Sequence, residues 1–283
     1  MLTINNERIS IMKKTLITMM AFALTTVAKA ETIDTTQFVA VYDYQCATKD
    51  SYEKPVTGHA QVVVQVGRKT TKSMPMSDYV YDEENADMAA AYYEAMLHVP
   101  TVWTGWPEGK TTVQEFIFPN VFEGTEATPD IHWTLGNDTA TVGGYLCQTA
   151  TATFRGIAWQ VYYTEDVPSS AGPWRLRGLP GLIVKAESKA HTFCLAELRP
   201  ESAPITFERD ADVQQMSYAK LLKYRNEVYG NRQYAKNPLY YIPDVRSMVQ
   251  RIDVYKEGGQ PMVFANGHPL LTKGYVHQPL ELK

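Results

Sequence analysis

The sequence predicts a mainly β protein with two or three helices, an α+β chain whose antiparallel meander forms a curved sheet, an open half-barrel or a sandwich. Short runs rich in β-branched and aromatic residues recur with turn residues between them. They are not separated by regular helical patterns, as parallel βαβ units would require. Apolar residues make up 45% of the 283-residue chain, ample material for a core.

Phe38–Cys46 (FVAVYDYQC) and Gln61–Val66 (QVVVQV) read as the first strands. Between Asp82 and Leu97 the period changes. Met88, Ala91, Tyr92, Ala95 and Met96 fall on one face of an amphipathic helix, closed by Pro100. Strands return at Thr111–Phe118, Asp130–Leu135, Thr141–Phe154, Ile157–Thr164, Leu182–Ser188 and His191–Leu198. A second helix is expected over Asp212–Tyr229, with Tyr218, Leu221, Leu222 and Tyr229 on one face. Ile252–Tyr255 and Met262–Phe264 flank Lys-Glu-Gly-Gly-Gln, a hairpin signal. No repeat or linker divides the chain, so residues 31–283 read as one β-rich domain.

Residues 1–30 read as an upstream extension and a secretory signal peptide. Met12-Lys-Lys14 is basic, Leu16–Val27 is apolar but too short to span a bilayer, and Ala28-Lys-Ala30 is a cleavage site. Met12 is the expected start and Glu31 the expected mature N-terminus. Cleavage there removes Arg8, Lys13, Lys14, Lys29 and Glu7 from 27 basic and 31 acidic residues, making the remainder more acidic. An acidic exported protein is a poor partner for nucleic acid. No later stretch approaches a transmembrane helix. The expected location is the periplasm or the outer membrane. Cys46, Cys147 and Cys194 form no C-x-x-C and leave their pairing open.

Gly172–Ile183 (GPWRLRGLPGLI) is rich in breakers and in apolar residues at once. Leu179-Pro-Gly-Leu182 reads as a type II turn, with Pro180 presetting one φ and Gly181 taking the positive one; Gly178 precedes it. Read as extended chain between two corners, the segment places Arg175 and Arg177 on one side and Trp174 and Leu176 on the other. Trp159 and Tyr162 add aromatic surface nearby. Trp159, Tyr162, Trp174, Arg175 and Arg177 are therefore the candidate binding residues, with the arginines facing solvent beside the indole.

Trp133-Thr-Leu135, Gly144-Tyr-Leu-Cys-Gln148, Thr153-Phe-Arg-Gly156, Trp159, Tyr162-Tyr-Thr164, Gly172-Pro-Trp174, Gly178–Ile183 and a final Gln278-Pro-Leu-Glu-Leu282 resemble the GLPGLI family. That family is named for the hexapeptide and occurs in Bacteroidetes-type Gram-negative bacteria. The resemblance runs through most of the mature chain and implies a β-rich exported protein, with no assigned reaction. Ile157 departs from it, since members carry Arg after Phe-Arg-Gly, so a role needing two arginines there is not expected.

The sequence contains no G-x-S-x-G elbow, H-E-x-x-H helix, Walker loop or dinucleotide fingerprint, so no catalytic residue, cofactor or metal ligand is assigned. Asp130 and His132 would share one side of a strand, and Cys147 with His132 could form a thiol–base pair, but nothing places an acid or oxyanion donor beside them. Glu83-Glu84 and Glu165-Asp166 are adjacent along the chain rather than across a cleft. The expectation is non-enzymatic binding of a hydrophobic ligand or an envelope partner protein. A metal-assisted hydrolase using Asp130 or His132 is the alternative.

Overall fold

The computed structural model describes residues 30–50, 52–79, 97–117, 120–210, 212–230, 252–257, 260–265, 268–269 and 276–283, with only the backbone described from 252 to 269. The expected signal peptide, up to residue 29, and all of the Asp82–Leu97 segment except Leu97 lie outside the described residues. In chain order the strands are β1 Glu31–Thr35, β2 Phe38–Lys49, β3 Pro55–Val66, β4 Thr71–Pro75, β5 Thr101–Thr104, β6 Lys110–Ile117, β7 Asn120–Ala127 and β8 Thr134–Val142. They continue as β9 Tyr145–Phe154, β10 Ile157–Thr164, β11 Leu182–Glu187, β12 His191–Pro200, β13 Pro204–Phe207, β14 Gln214–Ser217, β15 Ile252–Glu257, β16 Gln260–Ala265 and β17 His268–Pro269. Two helices are described, α1 (Met76–Tyr79) and α2 (Tyr218–Tyr229).

The fold is mainly β, as the sequence predicts. Twelve strands form one open sheet in the order β14-β7-β6-β5-β4-β3-β2-β12-β11-β10-β9-β8. It consists of two meanders, β2 to β7 and β8 to β12, joined where β2 pairs antiparallel with β12. Every pairing in this sheet is antiparallel except that of β14 with β7. The predicted hairpin is present as β15–β16, antiparallel from Ile252↔Ala265 to Glu257↔Gln260.

The central strands are buried for a visible reason. Ala40, Tyr42, Tyr44, Cys46, Val62, Val64 and Val66 alternate onto one face and enter the main core. Val39, Val41 and Val63 point the other way, under Met76 and Tyr79. The uninterrupted valines of QVVVQV thus mark a strand covered on both faces.

Three sequence expectations need correction here. Asp130–Leu135 is not a strand: pairing begins at Thr134, and Asp130 and His132 lie exposed on irregular chain. Thr141–Phe154 is two strands, because Gly143 and Gly144, at φ +57° and +86°, turn the chain between β8 and β9. The second helix is also shorter than Asp212–Tyr229. Gln214–Ser217 pairs with β7, and Ser217 caps α2 by accepting the Lys220 N–H.

Candidate functional site

The breaker-rich segment is a folded loop between β10 and β11, pinned by its own backbone. The N–H groups of Gly178, Leu182 and Ile183 donate to the carbonyls of Ser170, Val167 and Ala171 at 2.9, 3.2 and 3.1 Å. A turn closes from Leu176 N–H to Pro173 O at 3.1 Å, and Trp174 within it has φ +56°. This turn breaks the assumed extended alternation. Trp174, Leu176, Leu179, Leu182 and Ile183 are all driven into the main core, which answers why a loop carries so much apolar surface. The loop is part of the cover of the sheet.

The type II assignment at Leu179–Leu182 does not hold. The left-handed glycine is Gly178, at φ +94°; Gly181 is outside that region. Gly181 is needed instead for close approach, since a Cβ there would stand 2.1 Å from the Thr164 carbonyl oxygen.

Arg175 is not solvent-facing. It is 3% exposed and its guanidinium is held by Glu126 and, at 3.0 Å, by Glu281. Glu281 is fully buried; it also accepts from the Tyr218 hydroxyl and lies 3.4 Å from Arg225. Arg225 lies 3.6 Å from Glu115, and Arg155 joins through Glu126. The Arg175 guanidinium lies 4.8 Å from the centroid of the Tyr218 ring. The loop, α2, β6, β7 and the C-terminal segment are thereby tied by one charged network. The sequence does not disclose this network, although Arg155 and Glu281 stand in two of its distinctive stretches, Thr153–Gly156 and Gln278–Leu282. Burial and partnering at such sequence separations leave no local pattern.

The remaining candidates divide. Trp159 is buried 6.2 Å from Trp174, ring centroid to ring centroid, and both fill the core. Tyr162 is half-buried on β10, beneath the Lys185 ammonium at 5.6 Å, and stands apart from the loop cavity. Arg177 is half-buried, and its carbonyl accepts the Trp133 indole N–H at 2.8 Å.

That cavity has a volume of about 600 Å³. One wall is the loop from Pro168 to Arg177; opposite are Phe38, Val66 and the exposed Arg68-Lys69 turn between β3 and β4, with Asp130 at its rim. Its chemistry is mixed: apolar at Phe38, Val66 and Leu176, cationic at Arg68, Lys69, Arg175 and Arg177. Among the described residues, no three His, Cys, Asp or Glu side chains are grouped to hold a metal ion. Cys46, Cys147 and Cys194 are all free thiols, the first two buried, and burial pushes the Cys147 thiol up rather than activating it.

No family model and no curated protein matches the chain. Two crystal structures of PNGF-II are distantly similar. The P21 form is 12% identical with a TM-score of 0.46, covering 69% of this chain and 33% of that one. The C2 form is 12% identical with a TM-score of 0.43, covering 65% and 32%. The chain spans about a third of the length of PNGF-II.

Proposed function

We propose that the chain is an exported cell-envelope protein of the GLPGLI kind that binds an amphipathic anion, without catalysis, in the cavity between the breaker-rich loop and the Arg68-Lys69 turn. The observation that carries this reading is the wall itself, a loop pinned by its own backbone hydrogen bonds, with Arg68, Lys69, Arg175 and Arg177 among the lining residues beside Phe38, Val66 and Leu176. The lining is more polar than apolar, which suits the charged end of a ligand more than its apolar part. The large sheet, read as an open half-barrel wrapped over its main core, supplies a stiff backing for it. Arg68, Lys69 and Arg177 would meet the charged group, and Phe38, Val66 and Leu176 the apolar part.

Native mass spectrometry of protein purified from its own envelope tests this. A bound anionic lipid or fatty acid is expected. The triple variant Arg68→Glu, Lys69→Glu, Arg177→Glu should lose that mass while its urea midpoint stays within about 1 kcal/mol of wild type, since Arg68 and Lys69 are exposed and Arg177 is half-buried. Bare protein, or a metal adduct in its place, would remove the reading.

A further inference from the structure

Residues 276–283 lie across the molecule like a bound peptide. Val276 donates to the Lys49 carbonyl at 2.8 Å and accepts from the Thr48 hydroxyl. The Pro279 carbonyl oxygen meets His191 Nε2 at 3.1 Å, Leu280 is buried, and Leu282 donates to the Arg155 carbonyl at 2.8 Å. With Glu281 among its arginines, the segment touches β2, β12, the β9–β10 turn, the loop and α2.

His277 is its imidazole, half-buried as a residue but with Nε2 shielded from solvent. The ring stands 5.3 Å from His98, edge-on, and 5.0 Å from Tyr229, and Nε2 has no partner among the described residues. His98 stacks on Tyr229 at 3.8 Å. Arg225, on the same helix as Tyr229, adds a positive charge facing both imidazoles. His191 sits between the Tyr44 hydroxyl, 2.9 Å from Nδ1, and Pro279. The Pro279 oxygen can only accept, so Nε2 carries the proton and Nδ1 accepts from Tyr44.

We propose that residues 276–283 form an acid-released latch: protonating His277 and its imidazole neighbours frees the segment and uncovers a recess, built by Arg175, Arg225 and Tyr218, that holds a carboxylate. The inference is independent of the cavity reading above. Burial, reinforced by Arg225, holds His98 down at about 3, and burial holds His191 at about 4. Burial first, then His98, Arg225 and His191, hold His277 well below its ordinary value. A docked imidazole that resists protonation gives the latch its full stability above the free value of about 6.5, and that stability is lost as pH falls toward the docked values.

Glu115 works in the opposite sense. Burial, against the pull of Arg225, raises its carboxyl to about 7, so below that pH its protonation favours the docked state. Tyr44 and Tyr218 are pushed further up by burial and stay protonated throughout, while the arginines stay charged. Three imidazoles oppose one carboxyl, so acid opens the latch. The vacated recess then presents two guanidiniums and a phenol to the carboxylate of another acidic chain segment.

Hydrogen–deuterium exchange of the full chain, corrected for the intrinsic pH dependence of exchange, tests the latch. Between pH 7.5 and pH 5 the protection of residues 276–283 should fall by well over about tenfold, the three imidazoles together outweighing Glu115. Protection of β2 and β3 should stay constant. His277→Phe, which keeps the ring and removes the proton site, should flatten the response, and Glu115→Gln should steepen it. A segment equally protected at both pH values overturns the proposal. So does loss of its protection together with that of β2 and β3, or an unchanged response in His277→Phe.

Discussion

A Cβ on Gly181 would meet the carbonyl oxygen of Thr164 at 2.1 Å, with the rest of that peptide behind it. Neither partner is a flexible side chain, so Gly181→Val should cost on the order of 1–3 kcal/mol in a urea melt. Pro180→Ala, at an exposed position, should cost far less. Equal midpoints for the two variants would show that the loop yields. The glycine requirement is legible in the sequence, but its cause is not: a G-L-P-G-L run suggests positive φ at the second glycine, whereas tertiary contact between β10 and the loop sets it. Trp174 carries the same lesson. Its left-handed backbone is held by the Ser73 hydroxyl, which accepts its N–H at 3.2 Å, and Ser73 is invisible to any local reading. Trp174→Ala should cost about 3–5 kcal/mol as a core truncation. Trp174→Phe should cost less, because it keeps most of the ring and removes a buried indole N–H that has no acceptor among the described residues.

At the scale of elements, the loop, α2 and the C-terminal segment are joined by ions rather than by apolar contact alone. The helix approaches β7 so closely that a Cβ on Gly124 would lie 2.9 Å from the Tyr218 Cα. This proximity lets Tyr218 and Arg225 reach Glu281. Arg175→Ala strands Glu281 in the interior with one guanidinium fewer, and should cost about 3–5 kcal/mol. Arg177→Ala should stay within about 1 kcal/mol, since its side chain is half-buried and has no comparable ion pair among the described residues. Thermal or urea melts of the two single variants check the contrast, and a silent Arg175→Ala would mean the network contributes no net stability. Helical periodicity disclosed α2 well because its buried face is continuous, from Tyr218 through Leu221, Leu222 and Arg225 to Tyr229. It missed β14, whose Gln-Gln-Met-Ser has little strand character and becomes a strand only through parallel pairing with β7.

At the scale of the molecule, the sheet is held at its middle and, among the described residues, open at its ends. β2 has strands on both sides, apolar residues on both faces, and a Tyr42 hydroxyl donating to the Ile183 carbonyl at 2.7 Å across the core. Because β2 pairs with β12 some 150 residues later, closing the two meanders is a long-range step that alternation cannot foretell. Among the described residues β8 lies at one end of the sheet with β9 as its single neighbour, and its first six residues are exposed. Leu135, on that strand, is 57% exposed, and Leu146, on the adjoining strand, 65%. Amides that open without disturbing a core exchange fastest. In the isolated chain, amides of Thr134–Val142 should therefore exchange orders of magnitude faster than those of Phe38–Lys49, which are released only by global unfolding. Edge strands left bare in this way are templates for pairing, and β8 carries no lysine or proline to discourage it. Hydrogen exchange measured at rising protein concentration checks the point. If β8 proves as slow as β2 even at high dilution, the outer edge is satisfied by contacts within the chain, and the sheet does not end there.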